Sequence, residues 1–227
     1  MAENFWDIDI VGLDFDFGDD DKNIIVSTKQ VPAKMIKYEN AVKLAKKIDL
    51  SAKSRYECII KGNFIFGDFI EAFFVENDIY TDELTISTLS FGVENVDSLL
   101  NLIGGGYVGR LRILSSVYFY ANERKKGGIV DYLFNAMPKD RLQCAFADVH
   151  TKMVTFKTED EKHIVMTGSA NLRSSGCIEQ FAIEDNKETF EFFDSYHNEF
   201  FKMYDDGDKK PLRKNILNKE LKAVEFN

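Results

Sequence analysis

Three prolines, three cysteines, three histidines and one tryptophan are all that 227 residues hold of these types. Cys58 and Cys144 fall in apolar stretches and Cys177 in a turn. Their odd number and lack of ligand spacing exclude a disulfide framework and a zinc cluster, so all three are expected as reduced thiols. No apolar run approaches the ~20 residues of a membrane span. The N-terminus, MAENFWDIDIVGLDFDFGDDD, is acidic where a secretory leader is basic, so a cytoplasmic chain without membrane contact is expected. Positive charge is scarce as well. With 29 Lys and Arg against 38 Asp and Glu, the formal net charge is −9, which excludes a protein that coats nucleic acid non-specifically but leaves room for a local basic groove. Internal repeats and low-complexity linkers are absent.

Hydrophobic residues make up 44% of the chain, 20 of them phenylalanine, enough to bury one large core. Asp alternates with Phe, Ile, Val and Leu over the first residues, which reads as an acidic arm or edge strand over 1–35. A domain over 36–206 and a C-terminal extension over 207–227 follow. Tyr38, Ala41, Val42, Ala45 and Ile48 recur at helical spacing with lysines opposite, a solvated face. Tyr56–Lys61 reads as a strand, and Phe69, Ile70, Phe73 and Phe74 as the stripe of a helix. Leu84–Leu89 is a second strand, Val96, Leu99, Leu100 and Ile103 a second such stripe, and Arg110–Ser115 a third strand whose end runs through Ser116 to Tyr120. Tyr118 and Tyr120 are read as core aromatics, as lining for a phosphate cleft or as rings that stack on a base. Arg124-Lys125-Lys126 precedes a helix bearing Ile129, Val130, Leu133, Phe134 and Met137. The alternation predicts an α/β fold with a mixed, largely parallel sheet sandwiched between helices. Leu142–Asp148 and Ile178–Glu184 supply further strands. Phe190, Phe193, Tyr196, Phe200 and Tyr204 supply a helix closing one face.

Gly104-Gly105-Gly106-Tyr107-Val108-Gly109 matches G-x-G-x-x-G by letters. A dinucleotide site follows a strand and opens a helix, whereas this run follows a helix and leads into a strand, so it reads as a helix cap and turn.

Chemistry concentrates between Ala147 and Phe181. His150-x-Lys152, read as strand, brings a nucleophile and a cation to one side, since side chains two apart on a strand share a face. A second strand, His163–Thr167, runs into Gly168-Ser169-Ala170-Asn171, which offers tight backbone geometry, a hydroxyl and an amide to phosphate oxygens. His163 and His197 lack such company and are read as structural.

His150-x-Lys152 with Gly168-Ser169-x-Asn171 resembles the signature of the phospholipase D superfamily, whose members include phospholipases, phosphatidyl transferases and metal-independent nucleases. The resemblance implies that His150 forms a phosphohistidine, that Lys152, Ser169 and Asn171 hold the non-bridging oxygens, and that Glu179 orients the histidine. It implies no metal and no cofactor. The family's Asp, five residues after the Lys, is Lys157 here; counted back from Gly168 the slot falls on Glu161, beside Asp160, as a lengthened hairpin would leave it. Fully catalytic members use two such motifs, and this chain has one, so a homodimer joining two copies of His150 is expected. Nucleic acid is the expected substrate, in the manner of a phage or mobile-element nuclease. The alternatives are a phosphate- or nucleic-acid-binding module that has lost turnover, which Lys157 in the Asp slot and the net acidity suggest, and lipid headgroup transfer, which the want of a membrane-binding stretch weakens.

Overall fold

The computed structural model describes residues 33–38, 40–50, 55–61, 64–173 and 176–203; most of the expected acidic arm and all of the 207–227 extension lie outside them. In chain order the elements are β1 (Ala33–Tyr38), α1 (Ala41–Ala45), β2 (Arg55–Ile60), α2 (Phe66–Glu76), β3 (Thr81–Thr88), α3 (Val93–Gly104) and β4 (Val108–Ser116). There follow α4 (Val117–Glu123), α5 (Ile129–Ala136), β5 (Leu142–Ala147), β6 (Met153–Lys157), β7 (His163–Gly168), β8 (Glu179–Asp185) and α6 (Lys187–Met203).

All eight strands form one mixed sheet in the order β1-β2-β8-β7-β6-β3-β4-β5. The α/β class is as expected. Parallel pairing, however, is confined to β1–β2 and to β3–β4–β5, while the four ladders between β2 and β3 are antiparallel. The cause is local: β6, β7 and β8 follow one another as a meander and insert between the two parallel blocks. Helical crossovers join the parallel strands on either side.

Helices cover both faces. Leu84, Ile86, Ile113, Phe156 and Phe181 belong to the main core, which they share with residues of α1 to α5. Phe66 and Phe69 of α2 stack around Phe181 of β8, with ring centroids 4.9 and 5.0 Å away. Leu114, Ala145 and Ala147 point the other way and meet Phe200 and Phe201 of α6. Strand alternation thus sends neighbouring residues such as Ile113 and Leu114 to different cores.

Two boundaries differ from the sequence reading. Tyr38 ends β1, not a helix, because Ala33–Tyr38 pairs in parallel along the whole of β2. The helix is cut to α1, which starts where the Asn40 side chain accepts from the Lys43 amide at 2.9 Å. The expected strand end over Ser115–Tyr120 is instead a helix from Val117, since Ser116 Oγ accepts from the Phe119 amide at 3.0 Å and caps α4. The glycine run behaves as expected: α3 ends at Gly104, and Gly106, at φ 79°, makes the turn into β4.

Candidate active site

One edge of the sheet gathers the relevant chain ends. β3, β4 and β5 finish there, β6 starts there with Met153 opposite Thr167, and β8 starts there with Glu179 opposite the last residue of β2, Ile60. His150, Lys152, Ser169, Asn171 and Glu179 therefore all fall along this edge, although they come from two separate connections and the start of β8.

His150 and Lys152 are not on a strand as expected. They lie in the connection from Asp148 to Lys152, which leaves β5 at the border of the sheet and passes over the ends of β4 and β3 to reach β6. The two side chains still meet: Lys152 Nζ is 2.9 Å from His150 Nδ1 and donates to the His150 carbonyl oxygen at 2.8 Å. What holds them is the residue between. Thr151 Oγ1 lies 2.5 Å from Ser87 Oγ of β3, and its side chain also bonds the Tyr196 hydroxyl of α6. Val149 is buried with Phe200 and Phe201, and the Gly168 amide donates to the Lys152 carbonyl at 3.3 Å.

Gly168 is a glycine because β8 comes too close for a side chain: a Cβ there would stand 2.6 Å from Phe181 Cα and collide with the Gln180 carbonyl. That close approach sets Ser169 against β8. The Ser169 amide donates to the Gln180 carbonyl at 2.9 Å, the Gln180 amide donates to Ser169 Oγ at 3.1 Å, and the Ser169 hydroxyl donates to Glu179 Oε2. Glu179 also acts on Lys152. Burial lowers the pKa of the Lys152 ammonium, and the Glu179 carboxylate pulls it back up.

Asn171 is held from the other side. Its Oδ1 accepts from the Leu89 amide at 3.2 Å, which identifies that atom as the oxygen and leaves Nδ2 with two hydrogens for a ligand. Leu89 is itself fixed, its carbonyl accepting from Ser115 Oγ at 3.3 Å and Ser116 Oγ at 3.1 Å. A small cleft beside Asn171 is floored by Phe64 and Phe66 and walled by Lys61, Arg173, Cys177 and Glu179. Neither Lys61 nor Arg173 stood out in the sequence. Arg173 is two residues past Asn171, a position that could have drawn notice; Lys61 directly follows β2, whose partner, β8, is more than a hundred residues away, so no local pattern marks it.

No family model matches the sequence, and no curated protein matches it. Solved structures do. A phospholipase D family member, Nuc from Salmonella typhimurium, is similar with 16% identity and a TM-score of 0.41 over 54% of this chain and 80% of that one. Phosphatidylserine synthase from Haemophilus influenzae Rd KW20 is similar with 11% identity and a TM-score of 0.43, and polyphosphate kinase from Porphyromonas gingivalis with 12% and 0.47. This chain covers 44% of that synthase and 27% of that kinase. At such identities and TM-scores these similarities assign no chemistry, and that of the site rests on its own atoms.

The remaining candidates separate cleanly from the site. Lys157 ends β6 at the far edge, and Asp160 and Glu161 lie in the turn joining β6 to β7, Glu161 with φ at 64°. Asp160 is tied locally to Thr158 and Lys162, each at 2.5 Å, five strand residues away from Lys152. His163 begins β7 at that same edge, its ring edge-on to Phe190 at 5.2 Å. His197 is fully buried on the inner face of α6, with neither ring nitrogen hydrogen-bonded among the described residues. The far edge also carries a groove of about 590 Å³, lined by Asp82, Glu83, Glu159, Glu161, Glu191 and Asp194 against, among the described residues, Lys157 alone of the lysines and arginines. That charge disfavours a phosphate ligand. Among the described residues no cluster of His, Cys, Asp or Glu is arranged to hold a metal ion, and no helix is long and apolar enough to cross a membrane.

Proposed function

We propose that the domain over residues 36–206 is a phosphodiesterase acting on nucleic acid through a covalent phosphohistidine at His150. The observation that carries this reading is the 2.9 Å contact between Lys152 Nζ and His150 Nδ1 at a sheet edge that also holds Ser169, Glu179 and Asn171. An imidazole is the one nucleophile among these groups that is reactive near neutral pH and leaves phosphorus readily. An ammonium and an amide donor beside it supply what a phosphoryl group needs as its equatorial oxygens gain charge.

The contact has a mechanistic consequence. With the ammonium donating to Nδ1, a neutral His150 carries its proton on Nε2 and offers no lone pair outward. When a phosphodiester enters, Lys152 turns to a non-bridging oxygen, Nδ1 takes the proton, and Nε2 is free to attack. A P–N bond forms as the P–O bond to the leaving group breaks, and the leaving oxygen is protonated by a second imidazole. That imidazole, now basic, takes a proton from water; the water oxygen bonds to phosphorus, the P–N bond breaks, and His150 is released. Asn171 Nδ2 and the Ser169 hydroxyl, once turned away from Glu179, hold the other oxygens, and Glu179 balances the positive charge that grows on His150.

The second imidazole is assigned to another copy of this chain. His163 lies on the far edge and His197 is buried within α6's inner face, so a homodimer whose two-fold axis passes the His150 edge supplies the missing group.

The test is incubation of the purified chain, in EDTA, with bis(p-nitrophenyl) phosphate and with labelled single- and double-stranded DNA and RNA, followed by quenching in base. p-Nitrophenol or shortened strands released, with a transient, acid-labile adduct on His150, are the expected result. Binding without any hydrolysis above a folded His150→Ala control overturns the enzyme reading and leaves a phosphate-binding module.

A further inference from the structure

We infer that the outer face of α4 is a platform for an unpaired base, so that the nucleic acid this site takes is single-stranded; the inference rests on the phosphodiesterase reading above. Tyr118 is 74% exposed, while its neighbours Phe119 and Tyr120 are buried against Phe91 and Phe146 with ring centroids 4.6 Å apart in each case. The two inward rings fix the helix along the active edge and leave the third pointing to solvent. An isolated exposed aromatic is ordinary by itself. Tyr118 differs in its tie to the site and in the basic residues just after it in the chain.

Ser116, the cap of α4, donates to the Leu89 carbonyl, and the Leu89 amide donates to Asn171. The start of α4, two residues before Tyr118, is thus joined to the Asn171 amide by a short chain of hydrogen bonds. The Asn122 side chain closes back on the Tyr118 carbonyl at 2.9 Å, which stiffens the exposed face. Directly beyond come Arg124, Lys125 and Lys126, all exposed, in a chain whose net charge is −9. Ring and cations occur in the order a single strand needs as it leaves the reacting phosphate: a flat surface for a base, then positive charge for the next phosphates. Bases in a duplex are stacked on each other and present no face to such a ring.

The experiment compares wild type with Tyr118→Ala, Tyr118→Trp and Lys125→Glu/Lys126→Glu. Cleavage and equilibrium binding are measured on a labelled single strand, on its duplex and on bis(p-nitrophenyl) phosphate. For Tyr118→Ala the expected result is a loss of about tenfold in single-strand affinity, and a matching fall in the ratio of single-strand to small-ester kcat/KM. Tyr118→Trp restores both, and the double charge reversal flattens the salt dependence of single-strand binding. Unchanged affinity in Tyr118→Ala, or equal losses on single strand and duplex, overturns the platform. So does a change of sedimentation in Tyr118→Ala, which makes the ring a subunit contact. If wild type hydrolyses none of the substrates, the phosphodiesterase reading fails, and the binding arm still decides the platform.

Discussion

Lys152 Nζ sits between Nδ1 of His150 at 2.9 Å and the carbonyl oxygen of the same residue at 2.8 Å, so one ammonium holds both the ring and the backbone of the proposed nucleophile. The two residues should therefore fail differently when removed. His150→Ala deletes the group that bonds to phosphorus and is expected to lower kcat by roughly a thousandfold or more, with oligonucleotide affinity little changed. Lys152→Ala removes a charge that faces phosphate in the ground state and the transition state alike, so affinity and kcat both fall. Glu179→Gln lies between. Single-turnover cleavage beside fluorescence anisotropy reads the difference.

Chelation should leave the rate unchanged. A covalent route through His150, with Lys152 and Asn171 on the oxygens, needs no Lewis acid. Initial rates in EDTA and in magnesium are the check; loss in EDTA with recovery in magnesium means the roles of Lys152 and Asn171 have to be reassigned.

A single site histidine per chain requires two chains for a nucleophile and a general acid. Sedimentation at micromolar concentration should give a dimer. Mixing His150→Ala with wild type should lower activity per wild-type chain, because mixed dimers hold one imidazole where two are needed. A monomer with full activity defeats the two-histidine scheme.

Gly168→Ala is expected to damage the site and the fold together. The new methyl meets the backbone of Gln180 and Phe181, which cannot move without opening the β7–β8 ladder, so a loss of about 1–3 kcal/mol is expected in urea unfolding. Cleavage should fall further than stability accounts for, since the same shift separates Ser169 from Glu179.

His197 gives stability a dependence on pH. Burial, aided by Arg112, pushes its pKa down from 6.5 to about 3. Between those values the unfolded chain binds a proton that the folded chain refuses, so this contribution is complete above pH 6.5 and is lost as pH falls, by about 2 kcal/mol near pH 5. His197→Leu should flatten that part of the profile relative to wild type when urea midpoints are compared at neutral pH and near pH 5. Equal slopes in the two proteins place the acid sensitivity elsewhere.

The α/β class, most strands and the helices α2, α3, α5 and α6 were legible in the sequence because each rests on a local period of apolar residues that survives any tertiary arrangement. The glycine run, where Gly106 turns a helix into a strand, was legible too, and the types and spacing of the five candidate residues are visible without a structure. Boundaries set by a single cap were less legible. At Ser116 the apolar run Val117–Tyr120 suits strand or helix equally, and a hydroxyl bonded to the Phe119 amide decided it.

What the chain alone could not show is which side chains share the edge. His150 and Lys152 meet through a loop spanning two strand ends, pinned by Ser87 and Tyr196 from elements that sequence spacing does not connect. Lys61 and Arg173 join the cleft only because β8 pairs antiparallel with β2, and Asn171 is aimed by the Leu89 amide only because β3 ends beside the Gly168–Asn171 turn. Types and periods are local properties and are written in the order of residues. Strand neighbours are chosen by which buried faces fit across the sheet, and that choice exists only once the chain has folded.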